Sequence, residues 1–444
     1  MGVTERKTVE LQQKVVKFQL RRKYLYFTFF VSIFMTCLYV TIPLPSESEI
    51  IVKCSKVKTV ELYFFNERKN LTKDVDVTKL PLFPKEDPIS DRIVNQLLYM
   101  PPNYENYAKN LSLEKYKKIS IVEPERWGAF EKGFYKLGTE MFKSCPVFTC
   151  TVDNKDTSEA DLVLFKTHKS EPKKHPNQLR LLFELEGPPF IQNTNYVTEI
   201  VGEYEWVSTY RHDSDIPVPY GKWMYFDDRV RQLEQTENFA AGKTKKIAWF
   251  VSNCHPYNKR MEIAKELRKY LPVDIFGKCS DQNQTCPRGE SCDKMLESDY
   301  KFYLAFENAD CGDYITEKTF KSLKYKVLPI VMGARPEEYR SLLPERSFVH
   351  VDDFDSVAHL GAYLQLLDQD DNLYNSYFAW RGTGENIDDY STYYKLYWCR
   401  LCAMLHNPNR MDLSKTALYN TTIEEWFYRD CQNDGWKMNF NGTS

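Results

Sequence analysis

Residues 300–333 read YKFYLAFENADCGDYITEKTFKSLKYKVLPIVMG. Phe302–Phe306 is an unbroken run of apolar residues, the pattern of a strand buried on both faces. A short polar stretch follows, Glu317–Lys326 has helical character, and Val327–Val331 is a second apolar run closed by Gly333. The alternation continues outward. Upstream, Ile247–Val251 and Val273–Gly277 read as strands flanking an amphipathic helix over Tyr257–Tyr270; downstream, Ser347–Val351 reads as one more strand. Strands alternating with helices of this length imply a parallel sheet covered on both faces. A second unit lies nearer the N-terminus, with strands expected over Ile119–Val122, Asp161–Phe165, Leu179–Leu185 and Glu205–Thr209 and a helix over Trp127–Leu137. The charged stretch Asp227–Lys246 separates the two. The expected fold class is therefore α/β, with two such units facing a cleft that lies outside the carboxyl ends of their strands.

The N-terminal region predicts a membrane topology. Residues 24–46 carry no charge, and about 19 residues before Pro43 give a helix of roughly 28 Å, close to the hydrocarbon thickness of a bilayer. Arg6, Lys7, Lys14, Lys17, Arg21, Arg22 and Lys23 precede it against only Glu5 and Glu10. That bias places the N-terminus in the cytosol and the rest across the membrane. A cleavable signal would end in small residues, whereas this stretch runs into Tyr39, Val40 and Ile42. The expected organisation is a cytosolic tail at 1–23, a signal anchor at 24–44, a stem at 45–115, the first Rossmann-like domain at 116–230, the second at 245–400 and an extension at 401–444. Val60–Phe65 is a short β-like run within the stem.

Composition narrows the function. Lys plus Arg number 60 against 62 Asp plus Glu, with no basic cluster beyond the N-terminus, which argues against a nucleic-acid partner. N-x-[ST] sequons at Asn70, Asn110, Asn283, Asn420 and Asn441 all follow the anchor. Of 12 cysteines, Cys37 lies in the anchor; the other eleven should be mostly paired in an oxidising lumen, with at least one left over. Cys399-Arg-Leu-Cys402 lacks the βαβ context of a redox pair and the matching second pair of a zinc site, so it reads as a structural disulfide end.

The densest chemistry lies between Tyr300 and Phe320. Thr316 is positioned as an N-cap, and the amides of the helix start, with Lys318 in its first turn, would attract an anion such as a diphosphate. Glu317 could accept hydrogen bonds from sugar hydroxyls. An ordinary capped surface helix with a solvated Glu-Lys pair explains this segment equally well on its own. The Asp-x-Asp sequences at Asp213/Asp215, Asp353/Asp355 and Asp368/Asp370 would suit a divalent cation on a diphosphate, but three such matches among so many acidic residues imply no metal site.

The segment F-Y-L-A-F-E-N, five residues ending in Asp313, then Y-I-T-E-K resembles the donor-binding signature of the α1,3-fucosyltransferase family. V-L-P-I-V-M-G and H-V-D-D-F resemble that family's next landmarks, in order. Trp249-Phe-Val-Ser252-Asn253 with Arg260 resembles an earlier block, and Tyr210-Arg-His-Asp-Ser-Asp-Ile-Pro-Val-Pro-Tyr-Gly221 another. Together they span roughly residues 181–354. The resemblance implies a GT-B glycosyltransferase that inverts GDP-β-L-fucose, with the donor in the C-terminal domain. It implies that Arg260 and Lys318 receive the leaving diphosphate, that Asn308, Tyr314 and Glu317 hold nucleotide and fucose, and that Ser252 and Asn253 line the same pocket. No metal is obligatory; Mn2+ or Mg2+ would at most stimulate. The family's base lies in an F/L-E-S/C-P motif, matched here by Leu185-Glu186-Gly187-Pro188, so Glu186 is the candidate base; Gly187 departs from the family's small polar residue. Glu184, two residues earlier, shares its face of the strand.

These readings predict a Golgi membrane enzyme of single-pass type II topology, with a lumenal catalytic region and self-association, if any, through stem or anchor. Its expected acceptor is GlcNAc of a glycoprotein N-glycan, with Leu-Glu-Gly-Pro and the aromatic segment around Trp398–Cys402 leaning toward the innermost GlcNAc. The alternatives are an antennary Lewis-type acceptor, another nucleotide sugar, and a catalytically silent lumenal glycan-binding protein on the same scaffold.

Overall fold

The computed structural model describes residues 80–83, 92–122, 134–154, 156–166, 169–189, 203–286, 290–387, 390–413, 422–428 and 430–432. The expected tail, the expected anchor at 24–44, most of the expected stem including Val60–Phe65, residues 127–133 of the expected helix, and the sequons at Asn70, Asn420 and Asn441 lie outside them. Among the described residues no helix is long and apolar enough to cross a membrane.

Five strands form the first sheet: β1 (Lys117–Val122), β2 (Cys150–Asp153), β3 (Leu162–Phe165), β4 (Leu179–Glu184) and β5 (Trp206–Thr209). Their order is β2-β1-β3-β4-β5, all parallel. β3 and β5 are buried at every position, as the apolar runs require. β2 went unread because Cys-Thr-Val-Asp is too short and mixed to signal a strand. Residues 134–137 run as turn, coil and bend, so the expected helix does not extend through Leu137.

The second sheet holds β7 (Lys245–Phe250), β8 (Val273–Phe276), β9 (Tyr300–Phe306), β11 (Leu328–Met332) and β12 (Val349–His350), with the antiparallel pairs β6 (Lys222–Tyr225) with β13 (Gly384–Ile387) and β10 (Asp310–Cys311) with β14 (Cys431–Gln432) standing apart. Its order is β12-β11-β9-β7-β8, again all parallel. Renumbered from its own first strand, each sheet has the order 2-1-3-4-5. In that arrangement a ligand crevice opens where successive connections leave in opposite directions, beyond the carboxyl ends of the first and third strands. For the second sheet those strands are β7 and β9.

The C-terminus divides differently from the expected run of 245–400. Helix α1 (Tyr390–Leu405) buries Tyr397, Trp398, Leu401, Met404 and Leu405 in the core of the first sheet, not the second. Cys145–Cys399 and Cys150–Cys402 bond it there, so the two ends of Cys-Arg-Leu-Cys reach different partners across the chain. Arg400, fully buried, is held by Gln96 Oε1 and Pro217 O. Further bridges join Cys254–Cys279, Cys286–Cys292 and Cys311–Cys431, pairing ten cysteines. A mixed apolar cluster joins the halves: Phe165, Leu182, Val207 and Tyr210 from the first pack with Ala309, Cys311, Tyr314 and Trp426.

Candidate active site

The crevice at the switch point is occupied by a cavity of about 110 Å³. Its walls are Phe250, Val251, Ser252 and Asn253 at the end of β7, Asn308 just beyond β9, Arg260 at the start of helix α2 (Arg260–Leu267), and Lys318 in the first turn of helix α3 (Glu317–Lys324). Five expected donor-site residues, Ser252, Asn253, Arg260, Asn308 and Lys318, therefore meet at one place. Gly277 shapes the neighbouring loop: its φ is +107°, and a Cβ there would lie 2.5 Å from Val251 O, so no side chain fits.

Arg260 is the principal cation of this cavity. Only 2% of it is exposed, and its guanidinium donates to two backbone carbonyls, Phe306 O at 3.1 Å and Asn253 O at 2.7 Å, with its Nε unpartnered. Burial pushes its pKa down to about 10 against the charge of Glu307, which raises it. Nδ2 of Asn253 and Oδ1 of Asn308 are likewise buried without a partner. Among the described residues this buried cation has no bonded carboxylate and the amide groups beside it are unmatched, which makes a site short of an anion and of hydrogen-bonding partners.

Lys318 is placed by a residue the sequence reading passed over. Glu307, with no exposed surface, accepts from Thr316 N at 2.8 Å, from Thr316 Oγ1 at 2.8 and 2.9 Å and from Lys318 Nζ at 2.7 Å. Burial raises the Glu307 pKa, while Lys318 pulls it back; burial also opposes the Lys318 charge, but Glu307 and Glu317 outweigh it and raise its pKa. Thr316 sits at the N-cap position without making the expected side-chain cap, because its hydroxyl serves Glu307. The amides of the loop before α3 are spent internally: Tyr314 N on Cys311 O, Ile315 N on Asp313 O and Thr316 N on Glu307. The cationic side chains on the cavity wall are those of Arg260 and Lys318. Glu317 is exposed at the head of α3, outside the cavity wall.

Glu186 lies beyond β4, across from the cavity. Its Oε1 accepts from Tyr314 Oη at 2.5 Å, Asn308 Nδ2 at 3.2 Å and Gly187 N at 3.0 Å. Glu184 closes β4, its Oε1 accepting from the amides of Leu185 and Glu186. Gly187 has a steric reason: a Cβ there would meet the Tyr314 ring at 3.2 Å.

The Asp-x-Asp carboxylates have structural work. Asp213 pairs with Arg211 and accepts from Trp426 Nε1; burial opposes its charge, but these partners lower its pKa. Asp215 accepts from Val207 N, and burial pushes it up to about 7. Asp353 pairs with Arg340, and Asp368 with Lys246 and Lys301. Among the sequons, Asn110 and Asn283 are exposed.

Two parallel sheets of the same order, with a cation-lined cavity at the switch point of the second and a carboxylate of the first bonded to its lining, make an α/β protein with a crevice suited to an anionic ligand. Residues 240–426 match the family described as glycosyltransferase family 10 (fucosyltransferase) C-term, and residues 125–221 match fucosyltransferase, N-terminal. The chain is 45% identical over 355 residues to glycoprotein 3-alpha-L-fucosyltransferase A of Drosophila melanogaster, covering 78% of this chain and 66% of the relative, just under two thirds. It is 34% identical over 322 residues to alpha-(1,3)-fucosyltransferase C of the same organism, covering 65% of this chain and 71% of that one. A crystal structure of an alpha1,3-fucosyltransferase with GDP-fucose aligns with TM-score 0.44 at 17% identity, covering 66% of this chain and 91% of that chain. The chain belongs to the family 10 fucosyltransferases.

Proposed function

We propose that this chain transfers L-fucose from GDP-β-L-fucose to a GlcNAc hydroxyl of a glycoprotein N-glycan in α1,3 linkage, with inversion. The observation that carries this reading is Asn308: it lines the cavity with Arg260 and Lys318 and also donates to Glu186, so the cationic and basic sides of the site meet at one residue. GDP occupies the cavity beyond β7 and β9, its diphosphate against Arg260 and Lys318. The acceptor hydroxyl loses its proton to Glu186 as its oxygen bonds to C1 of fucose, and the C1–O bond to the diphosphate breaks on the opposite face. The charge that develops on GDP is met by cations already in place, which is worth several kcal/mol in a closed site. Ser252 and Asn253 contact the nucleotide, and Glu317 reaches the sugar from the rim.

The acceptor in this reading is the innermost GlcNAc of the N-glycan core; a relative named as a glycoprotein 3-alpha-L-fucosyltransferase supports a glycoprotein acceptor. The enzyme is a single-pass type II Golgi protein, supported by the uncharged stretch over 24–44, five disulfides and two exposed sequons. Any homodimer forms through stem or anchor. A soluble form lacking the first 45 or so residues, given GDP-fucose, a core N-glycan and a LacNAc oligosaccharide, tests the assignment. Fucose should appear on the core glycan; transfer to LacNAc alone overturns the acceptor, and transfer to neither despite donor binding favours a silent scaffold.

A further inference from the structure

Every donor on Glu186 falls on the same oxygen. Tyr314, Asn308 and the amide of Gly187 all reach Oε1, and among the described residues no donor is directed at Oε2. Two of those three donors come from the other half of the molecule, from the segment between β9 and α3 that also frames the nucleotide cavity. We propose that Tyr314 is a positioning residue for the base: its phenol, with Asn308, clamps Oε1 so that Oε2 is presented to the acceptor hydroxyl. The proposal rests on Glu186 being the base, and it reassigns Tyr314 from holding the donor to holding the carboxylate.

The surroundings are built around that contact. Tyr314 is 2% exposed, and its ring lies 4.9 Å from that of Tyr210. Gly187 leaves the space the ring occupies, since a Cβ would stand 3.2 Å from Cε1 and 3.3 Å from Cζ. Tyr220 Oη donates to Leu185 O at 2.7 Å, holding the turn that carries Glu186. Burial, followed by the charge of Glu186, keeps the Tyr314 phenol well above its ordinary pKa, so it remains a donor throughout the working range. During transfer Tyr314 keeps its own proton; the proton of the acceptor hydroxyl goes to Oε2. Because the clamp spans both halves, the base is oriented only where the donor-side segment 308–314 is in place.

The test is Tyr314→Phe in the soluble enzyme, with Glu186→Gln alongside. Losing one charge-assisted hydrogen bond should lower kcat roughly ten- to hundredfold. KM for GDP-fucose and Kd for GDP should stay within about threefold, since the change leaves the cation pair alone. A carboxylate deprived of a donor holds its proton more tightly, so the acid limb of the kcat/KM profile should move to higher pH. Gly187→Ala, whose Cβ would stand 3.2 Å from the ring and press it by a few tenths of an ångström, should give a weaker form of the same signature and decides the matter if the Phe variant is not secreted. A fall in GDP affinity that matches the loss of activity, with an unmoved acid limb, would return Tyr314 to donor binding and overturn the proposal. Wild-type kcat in Glu186→Gln would remove the base assignment itself, a separate result.

Discussion

Glu307→Gln isolates the residue that sets the cation side of the site. The side chain has nearly the same volume, so the pocket among Thr316, Lys318 and Gly333 stays filled. What changes is the acceptor count. The carboxylate takes hydrogen bonds from Thr316 N, Thr316 Oγ1 and Lys318 Nζ on two oxygens. A glutamine has one acceptor oxygen and turns its NH2 toward another donor. Removing one partner of a buried ion pair costs about 3–5 kcal/mol. The Lys318 side chain is 26% exposed and retains some hydration, which argues for the lower end, about 3 kcal/mol. At about 2.1 cal/mol/K per residue, a folded unit of roughly 340 residues has an unfolding entropy near 0.7 kcal/mol/K, so Tm should fall by about 4 °C. Differential scanning fluorimetry of the soluble enzyme reads this directly, and GDP titration should show weakened binding as Lys318 loses its anchor. A Tm within 1 °C of wild type with unchanged GDP affinity would refute the assigned role of Glu307.

Other consequences are as readily checked. His212 Nδ1 bonds to Asp313, chiefly through which its pKa is raised, against the opposing effect of burial. A raised folded pKa stabilises fully below the unfolded value of about 6.5 and less as pH rises through the folded value. His212→Gln should therefore lower Tm at pH 5.5 and leave it unchanged at pH 8.5; equal losses at both would contradict the pairing. The bridges Cys145–Cys399 and Cys150–Cys402 close almost the same loop, with separations of 254 and 252 residues. By chain entropy the first closure is worth about 5 kcal/mol, whereas the second adds only a small ring worth about 2–3 kcal/mol. Denaturant titration should find either bridge's loss tolerated and loss of both severe, near 8 kcal/mol on the same estimate.

The parallel sheets were legible because buried strands such as Phe302–Phe306 are apolar at every position, and because the helices between them carry one polar face. The cavity wall was legible through the family resemblance, whose blocks carried Ser252, Asn253 and Asn308; the structure places these polar residues at the ends of apolar strands. Glu307 was not, since a carboxylate after a strand looks solvated until Thr316 and Lys318, nine and eleven residues later, fold back onto it. Nor could the destination of Tyr390–Leu405 be read: it is apolar and aromatic on most sides, and periodicity does not say which of two cores receives it. Its cysteines carry that information only once their partners, Cys145 and Cys150, are known. Tyr314 belonged to a recognisable segment, but its reach to Glu186 depends on how the two halves meet, which local pattern does not encode.

The central claim is that Glu186 and the Arg260–Lys318 cavity form one inverting site. Its most direct test is Glu186→Gln in the soluble enzyme, with fucose transfer from GDP-fucose and GDP affinity measured on the same preparation. The account predicts transfer reduced by at least about a thousandfold, as for loss of a general base, with GDP bound as tightly as by wild type. Transfer within tenfold of wild type, or loss of GDP binding together with activity, would contradict it.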